Sequence, residues 1–243
     1  MKNALFNTGN IWLGMLSTFI LLLPIILVLI KKSSWNTWFI PLVLCFLLLF
    51  CTGLINNGFI NFGEKTNAAI VTCSIVFQAP LIIIFLHYFG LNPEMKKAIQ
   101  VSLISYLLGG AVFLAINGVN GQTIGLILGT GISLVLIYGI IIFVRQIKES
   151  IHSRKQTGKA FIISAVVFAY ACYFFIYLMN FVFDSTEKKE IILLFQLATI
   201  VSTILVSIGI LLNIKTPVEK PAEVKNNKLP MLTEWEEYKT DRN

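Results

Sequence analysis

Polar side chains recur at helical spacing along three apolar stretches of the sequence, and binding is the chemistry that these residue types could perform there. Intervals of three, four and seven residues return a side chain to the same face of a helix. Amides and hydroxyls that face lipid are costly, so we expect these faces to point toward other helices. The three sets are Ser74 and Gln78; Tyr170, Tyr173, Tyr177 and Asn180; and Gln196, Thr199 and Thr203.

Two interpretations of these polar faces stay open at this point. In the first, the side chains only hydrogen-bond from helix to helix and hold a bundle together. In the second, they line a pocket between the third, sixth and seventh helices. Tyrosine rings and a few polar groups in such a pocket would take a flat, apolar small-molecule ligand. The pattern indicates no cofactor under either interpretation.

The elements that carry these faces are predicted to be membrane-spanning helices. The chain has 243 residues, 56% hydrophobic and 13% charged, whereas about 25% of the residues of a soluble domain are charged. We predict an all-α, seven-transmembrane helix bundle over 1–214 and a disordered cytoplasmic tail over 215–243. The seven apolar runs that are long enough to cross a bilayer lie near 11–30, 38–58, 67–89, 98–118, 122–144, 160–183 and 191–214.

The distribution of Lys and Arg predicts how the bundle is oriented. The loops after the first, third and fifth spans and the tail together hold 15 of these residues, and the opposite side holds 4. Without the tail the bias is still nine to four. Positively charged loops stay in the cytoplasm, so we expect the amino terminus outside and the carboxyl terminus inside. With a lean toward Lys, Asn and Ile, the composition favours an integral protein of a bacterial inner (cytoplasmic) membrane.

The interiors of the predicted spans lack Asp, Glu, Lys and Arg. Proton relays, ion-coupled carriers and covalent pigments place such groups at depth, so these classes are disfavoured. The two histidines, His87 and His152, lie far apart, and the four cysteines form no C-x-x-C pair. We therefore expect no metal site and no enzymatic activity. The net charge of +7 lies in loops that flank the spans, which indicates contact with lipid rather than with nucleic acid.

Two segments are candidates for cytoplasmic contacts with a protein partner. The loop 145–159 is basic, and the tail segment 229–238 places Trp235 and Tyr238 among acidic residues. Within the membrane, Gly125 and Gly129 form a G-x-x-x-G face on the fifth span, which indicates close contact with another helix. Between the fourth and fifth spans, 117–122 has the composition of a tight turn.

The architecture and two short motifs resemble the microbial (type 1) rhodopsin family. Phe77-Gln78-Ala79-Pro80-Leu81 is similar to the Thr-Thr-Pro-Leu segment of that family's third helix. The sixth span, with Tyr170, Tyr173, Phe174 and Tyr177, has the spacing of the family's Trp-x-x-Tyr-Pro-x-x-Trp, whose aromatic rings enclose retinal. The seventh span has no lysine to bind retinal. On this alignment Ser74 stands at the counterion position, Phe85 stands at the proton-donor position, and the third-helix arginine is missing. The resemblance implies a rhodopsin-like bundle without photochemistry.

These observations lead to one main functional hypothesis and one alternative. The main hypothesis is a non-enzymatic heptahelical membrane protein that acts as a binding, sensing or accessory subunit. The alternative is a carrier or channel for a small uncharged or lipidic solute.

Overall fold

Seven helices account for nearly all of the residues that the structure describes. The structure is a computed structural model, and it describes residues 12–30, 39–89, 92–118, 120–152, 157–182 and 188–214. This part of the chain contains no strand, and its seven helices are long and apolar enough to cross a membrane. They are α1 (Trp12–Ile30), α2 (Phe39–Asn56), α3 (Glu64–Phe89), α4 (Pro93–Asn117), α5 (Gly121–His152), α6 (Thr157–Tyr177) and α7 (Lys188–Ile214).

The prediction of an all-α bundle with seven apolar spans is therefore confirmed. The predicted break between the fourth and fifth spans is confirmed as well. Gly118 closes α4 with a positive φ of 71°, a conformation that suits glycine. Asn120 caps the start of α5, where its side-chain oxygen accepts a 2.8 Å hydrogen bond from the backbone N–H of Thr123. The tail segments 215–243 and 229–238 lie outside the described residues.

The predicted loop 145–159 is wrong over most of its length. Helix α5 continues through the basic segment Arg145–His152, and α6 begins at Thr157. The physical reason is local: this segment contains Arg, Gln, Lys and Glu but no proline or glycine, so it has high helix propensity. Hydropathy marks where a helix leaves the apolar layer, and the helix itself extends about two turns further.

Six of the helices form a closed ring, and α4 lies outside it. Along the ring the neighbours are α1, α2, α3, α5, α6 and α7, and α7 packs against α1 again. Helix α3 contacts α5 directly, so α4 rests on the outer groove between these two helices. The backbones of α6 and α7 approach each other closely at Gly209. A Cβ built on Gly209 would lie 2.9 Å from the carbonyl oxygen of Gly158 and 3.0 Å from the nitrogen of Ile162.

Two prolines interrupt the backbone hydrogen bonding inside α1 and α3. Pro24 has no N–H to donate to the carbonyl of Ile20. Three residues earlier, α1 has a turn at Leu21, whose N–H bonds to the carbonyl of Thr18. Pro80 lies inside α3 and is buried. It leaves the carbonyl of Val76, two residues before Gln78, without its helical donor.

Polar side chains tie α1 to α2 at the end of the bundle where α2 ends. The side-chain amide of Asn57 donates to the hydroxyl of Thr18 at 3.0 Å and to the carbonyl of Gly53 at 2.9 Å. Thr18 itself donates to the carbonyl of Gly14 at 2.9 Å. A Cβ built on Gly53 would lie 2.6 Å from the Thr18 hydroxyl, so glycine is what allows the contact. Amide-to-hydroxyl bonds of this kind hold helices together in lipid.

Candidate functional site

A cavity of about 210 Å³ lies between α2, α3, α5 and α6. Six of the nine residues that the sequence singled out line it. They are Ser74 and Gln78 on α3 and Tyr170, Tyr173, Tyr177 and Asn180 on α6 and the π-helical segment that follows it, Leu178–Val182. The two polar faces therefore meet across one space. A π-helical turn in a membrane helix is often found at a functional site.

The remaining wall of the cavity comes from helices that sequence reasoning did not assign to it. Helix α2 contributes Leu49 and Thr52, with Asn56 at the open end, and α5 contributes Leu128 and Ile132. These positions were hard to predict, because an apolar residue in a membrane span suits a cavity wall and a lipid-facing surface equally well. The Gly125–Gly129 face was the only indication that α5 approaches α6 closely at this level.

Stacked aromatic rings build the α6 side of the cavity. The rings of Tyr177 and Phe181 stack with centroids 5.3 Å apart, and those of Tyr173 and Phe195 stack at 5.2 Å. The Tyr177–Phe181 pair lies directly on the two glycines of α5. A Cβ on Gly125 would lie 2.5 Å from Cε1 of Phe181, and one on Gly129 would lie 2.6 Å from the Tyr177 hydroxyl. The G-x-x-x-G face thus seats two aromatic rings.

Hydrogen-bonding capacity remains unused along the cavity. The Tyr173 hydroxyl contacts Oγ1 of Thr199 at 3.3 Å. Because the Thr199 hydroxyl already donates to the carbonyl of Phe195 at 2.8 Å, the tyrosine is the donor in this contact. Within the described part of the chain, Ser74, Gln78 and the other two cavity tyrosines have no hydrogen-bond partner for their side chains. Their polar groups are available to a ligand.

The three α7 residues of the predicted site lie outside the cavity. Thr199 and Thr203 are buried, and the Thr203 hydroxyl donates to the carbonyl of Thr199 at 2.7 Å, within their own helix. Gln196 points toward α1, where its Nε2 lies 3.1 Å from the position that a Cβ on Gly14 would occupy. Its Oε1 is buried without a partner among the described residues. Phe195, one position earlier, is the residue of α7 that reaches the cavity.

A smaller cavity of about 40 Å³ lies deeper in the bundle and shares Leu49, Gln78, Tyr170 and Tyr173 with the larger one. Beyond it the core contains apolar side chains that are fully buried. On α3 the side chains of Ile83, Phe85 and Leu86 are 0% exposed, and on α6 those of Ile162 and Ile163 are 0% exposed. The cavity therefore ends at an apolar layer and does not continue to the other end of the bundle.

The open end of the cavity lies opposite the most basic end of the bundle. Asn56, Asn180 and Phe181 are exposed at the open end, where α2 and α6 end and α3 and α5 begin. Several basic residues mark the other end, where α3 and α5 end and α4 and α6 begin; they are Lys96, Lys97, Arg145, Lys148 and Lys159.

Comparison with known proteins gives no further identification, because no protein-family model, no curated protein and no solved structure matches the chain. Among the described residues there is also no group of three or more His, Cys, Asp or Glu side chains that could hold a metal ion.

Proposed function

We propose that this chain is a non-enzymatic integral membrane protein that binds a small apolar molecule between α2, α3, α5 and α6 and acts as a binding, sensing or accessory subunit. The observation that carries the proposal is the 210 Å³ cavity. Its walls are mainly apolar, and four of its polar side chains have no hydrogen-bond partner among the described residues; they are Ser74, Gln78, Tyr170 and Tyr177. Pockets with an apolar lining and a few convergent polar groups are typical ligand sites.

The bundle also has a proposed orientation in the membrane. The positive-inside rule puts the basic end of the bundle, with Lys96 and Arg145, in the cytoplasm. The cavity then opens on the outer side of a bacterial inner membrane. A site with this orientation samples molecules outside the cell or in the outer leaflet.

The experiment that tests the proposed function is purification from the native membrane in mild detergent, followed by mass spectrometry of the intact particle. The released chain is expected to carry a bound small molecule, because the cavity offers unused hydrogen-bonding groups in an apolar lining. A chain released with no bound mass from any native membrane preparation would contradict the proposal.

A carrier for a small uncharged solute is the alternative, and one observation favours it. The cavity is open at one end and closed by a packed layer at the other, which is the shape of a carrier in one of its two states. Flux in proteoliposomes separates the two functions. If the chain is a binding protein, glycerol should cross liposomes that contain it no faster than it crosses empty liposomes. Faster glycerol flux in the presence of the protein would favour the carrier.

A further inference from the structure

The size of the cavity limits what it can hold. A cavity of roughly 150 Å³ in another protein is large enough for benzene, and sites for drug-sized ligands begin at roughly 300 Å³. The volume here, about 210 Å³, lies between these two cases. It suits a compound of one or two fused rings, or the ring portion of a larger molecule whose remainder leaves through the open end.

The shape and the charge of the cavity lining further restrict the class of ligand. The stacked pairs Tyr173–Phe195 and Tyr177–Phe181 present flat aromatic surfaces to the cavity, and aromatic rings pack well against such surfaces. All described lining residues are uncharged at neutral pH. A ligand that carries a full charge would lose its hydration without gaining an opposite charge, which is strongly unfavourable.

The polar side chains at the inner end of the cavity determine which functional group a bound ring compound should carry. Gln78 and Tyr170 stand between the larger and the smaller cavity, and Tyr173 beside them is already engaged by Thr199. A glutamine amide offers two donors and an acceptor, and a tyrosine hydroxyl offers a donor and an acceptor. Together they match a hydroxyl or a carbonyl oxygen on the buried edge of a ring.

From these three arguments we infer that the cavity takes an uncharged compound of one or two rings that carries a hydroxyl or carbonyl oxygen, bound by Gln78 and Tyr170 at its inner end. The inference rests on the proposed function, since it specifies the ligand class of the same site. Ser74, one turn from Gln78 on α3, lines the path by which such a ring enters.

Three probes of one ring system test the inference on the full chain in nanodiscs. They are 1-naphthol, naphthalene and 1-naphthoate, measured by equilibrium dialysis and corrected for their partitioning into empty nanodiscs. We expect 1-naphthol to bind about 3- to 10-fold more tightly than naphthalene, the contribution of one neutral hydrogen bond. We expect 1-naphthoate to bind at least about tenfold more weakly than 1-naphthol, because its carboxylate has no partner.

Two variants separate the hydrogen bond from the cavity itself. Gln78→Met keeps the length of the side chain and should reduce the affinity for 1-naphthol toward that for naphthalene, because only Tyr170 is then left to bond to its oxygen; the affinity for naphthalene should be unchanged. Gln100→Met, at an exposed position on α4, should change neither. Equal affinities for 1-naphthol and naphthalene, stronger binding of 1-naphthoate, or an unaltered Gln78→Met variant would overturn the ligand class and leave the proposed function standing. Binding of no probe above empty nanodiscs would overturn both.

Discussion

Replacing Gly209 by alanine is expected to lower the free energy of unfolding by about 1–3 kcal/mol, the usual cost of over-packing a tight contact. The reason is that a Cβ at this position would lie 2.9 Å from the carbonyl oxygen of Gly158 and 3.0 Å from the backbone nitrogen of Ile162. Backbone atoms cannot rotate away as side chains do, so α6 and α7 must separate. Thermal unfolding in detergent, followed by helical circular dichroism, measures the effect.

The matched control is Gly109→Ala on α4. Nothing lies within 4 Å of a Cβ at Gly109, and alanine is the better helix former by about 0.5–1 kcal/mol. This variant should therefore be as stable as the parent chain or more stable. If both variants move the unfolding midpoint by similar amounts in the same direction, the close approach of α6 and α7 is wrong.

Replacing Ser74 by leucine is expected to change binding and stability in opposite directions. The added apolar atoms enter the cavity beside Gln78, so the affinity for 1-naphthol should fall more than tenfold because the ring no longer fits. The same atoms bury apolar area in an otherwise empty space, which should raise the free energy of unfolding by about 1–2 kcal/mol. Equilibrium dialysis and thermal unfolding on the same sample give the two readouts.

Cys73→Leu is the control for this pair of changes. Cys73 is the preceding residue on α3, but it is exposed on the outside of the bundle, so leucine there should alter neither readout. A Ser74→Leu variant that binds 1-naphthol as tightly as the parent would show that the probe sits elsewhere. A loss of both binding and stability would indicate general damage to α3.

The seven helices were predictable from the sequence because a bilayer makes one demand on every span. Each must be long, apolar and internally hydrogen-bonded, and runs such as 39–56 satisfy this without reference to any other part of the chain. The helix ends were less predictable. Charged residues such as Arg145 and Lys148 mark the edge of the apolar layer, but they are good helix formers, and α5 continues past them to His152.

The cavity was predictable only where polar residues mark it. Gln78 and Tyr170 are informative because an amide or a phenol that faces lipid is energetically costly, so these side chains are expected to face other helices. Leu128 on α5 lines the cavity while Leu126 is exposed, and no rule of composition distinguishes the two leucines. The predicted cavity residues on α7 lie outside the cavity for a different reason. The Thr203 hydroxyl bonds to a carbonyl of its own helix, so its spacing with Thr199 carries no information about a pocket.

Several sequence predictions stay predictions, among them the orientation of the bundle and the two that follow. One is the resemblance to microbial rhodopsins, which concerns the arrangement of the bundle and the third and sixth helices. The other is a protein partner for the cytoplasmic segments, of which 229–238 lies outside the described residues. Both are compatible with a binding protein, since neither the cavity nor its polar groups depend on them.

The central claim is that a neutral ring occupies a cavity that is reachable at Ser74 and closed at Leu86, and thiol modification tests it most directly. In a chain whose four cysteines are replaced by alanine, Ser74→Cys and Leu86→Cys are treated separately with N-ethylmaleimide, with and without saturating 1-naphthol. We predict that Ser74→Cys reacts and that 1-naphthol slows this reaction several-fold, whereas Leu86→Cys, at a position that is 0% exposed, stays unmodified. Equal reaction rates at the two positions, or a Ser74→Cys reaction rate that is unchanged by 1-naphthol, would contradict the account.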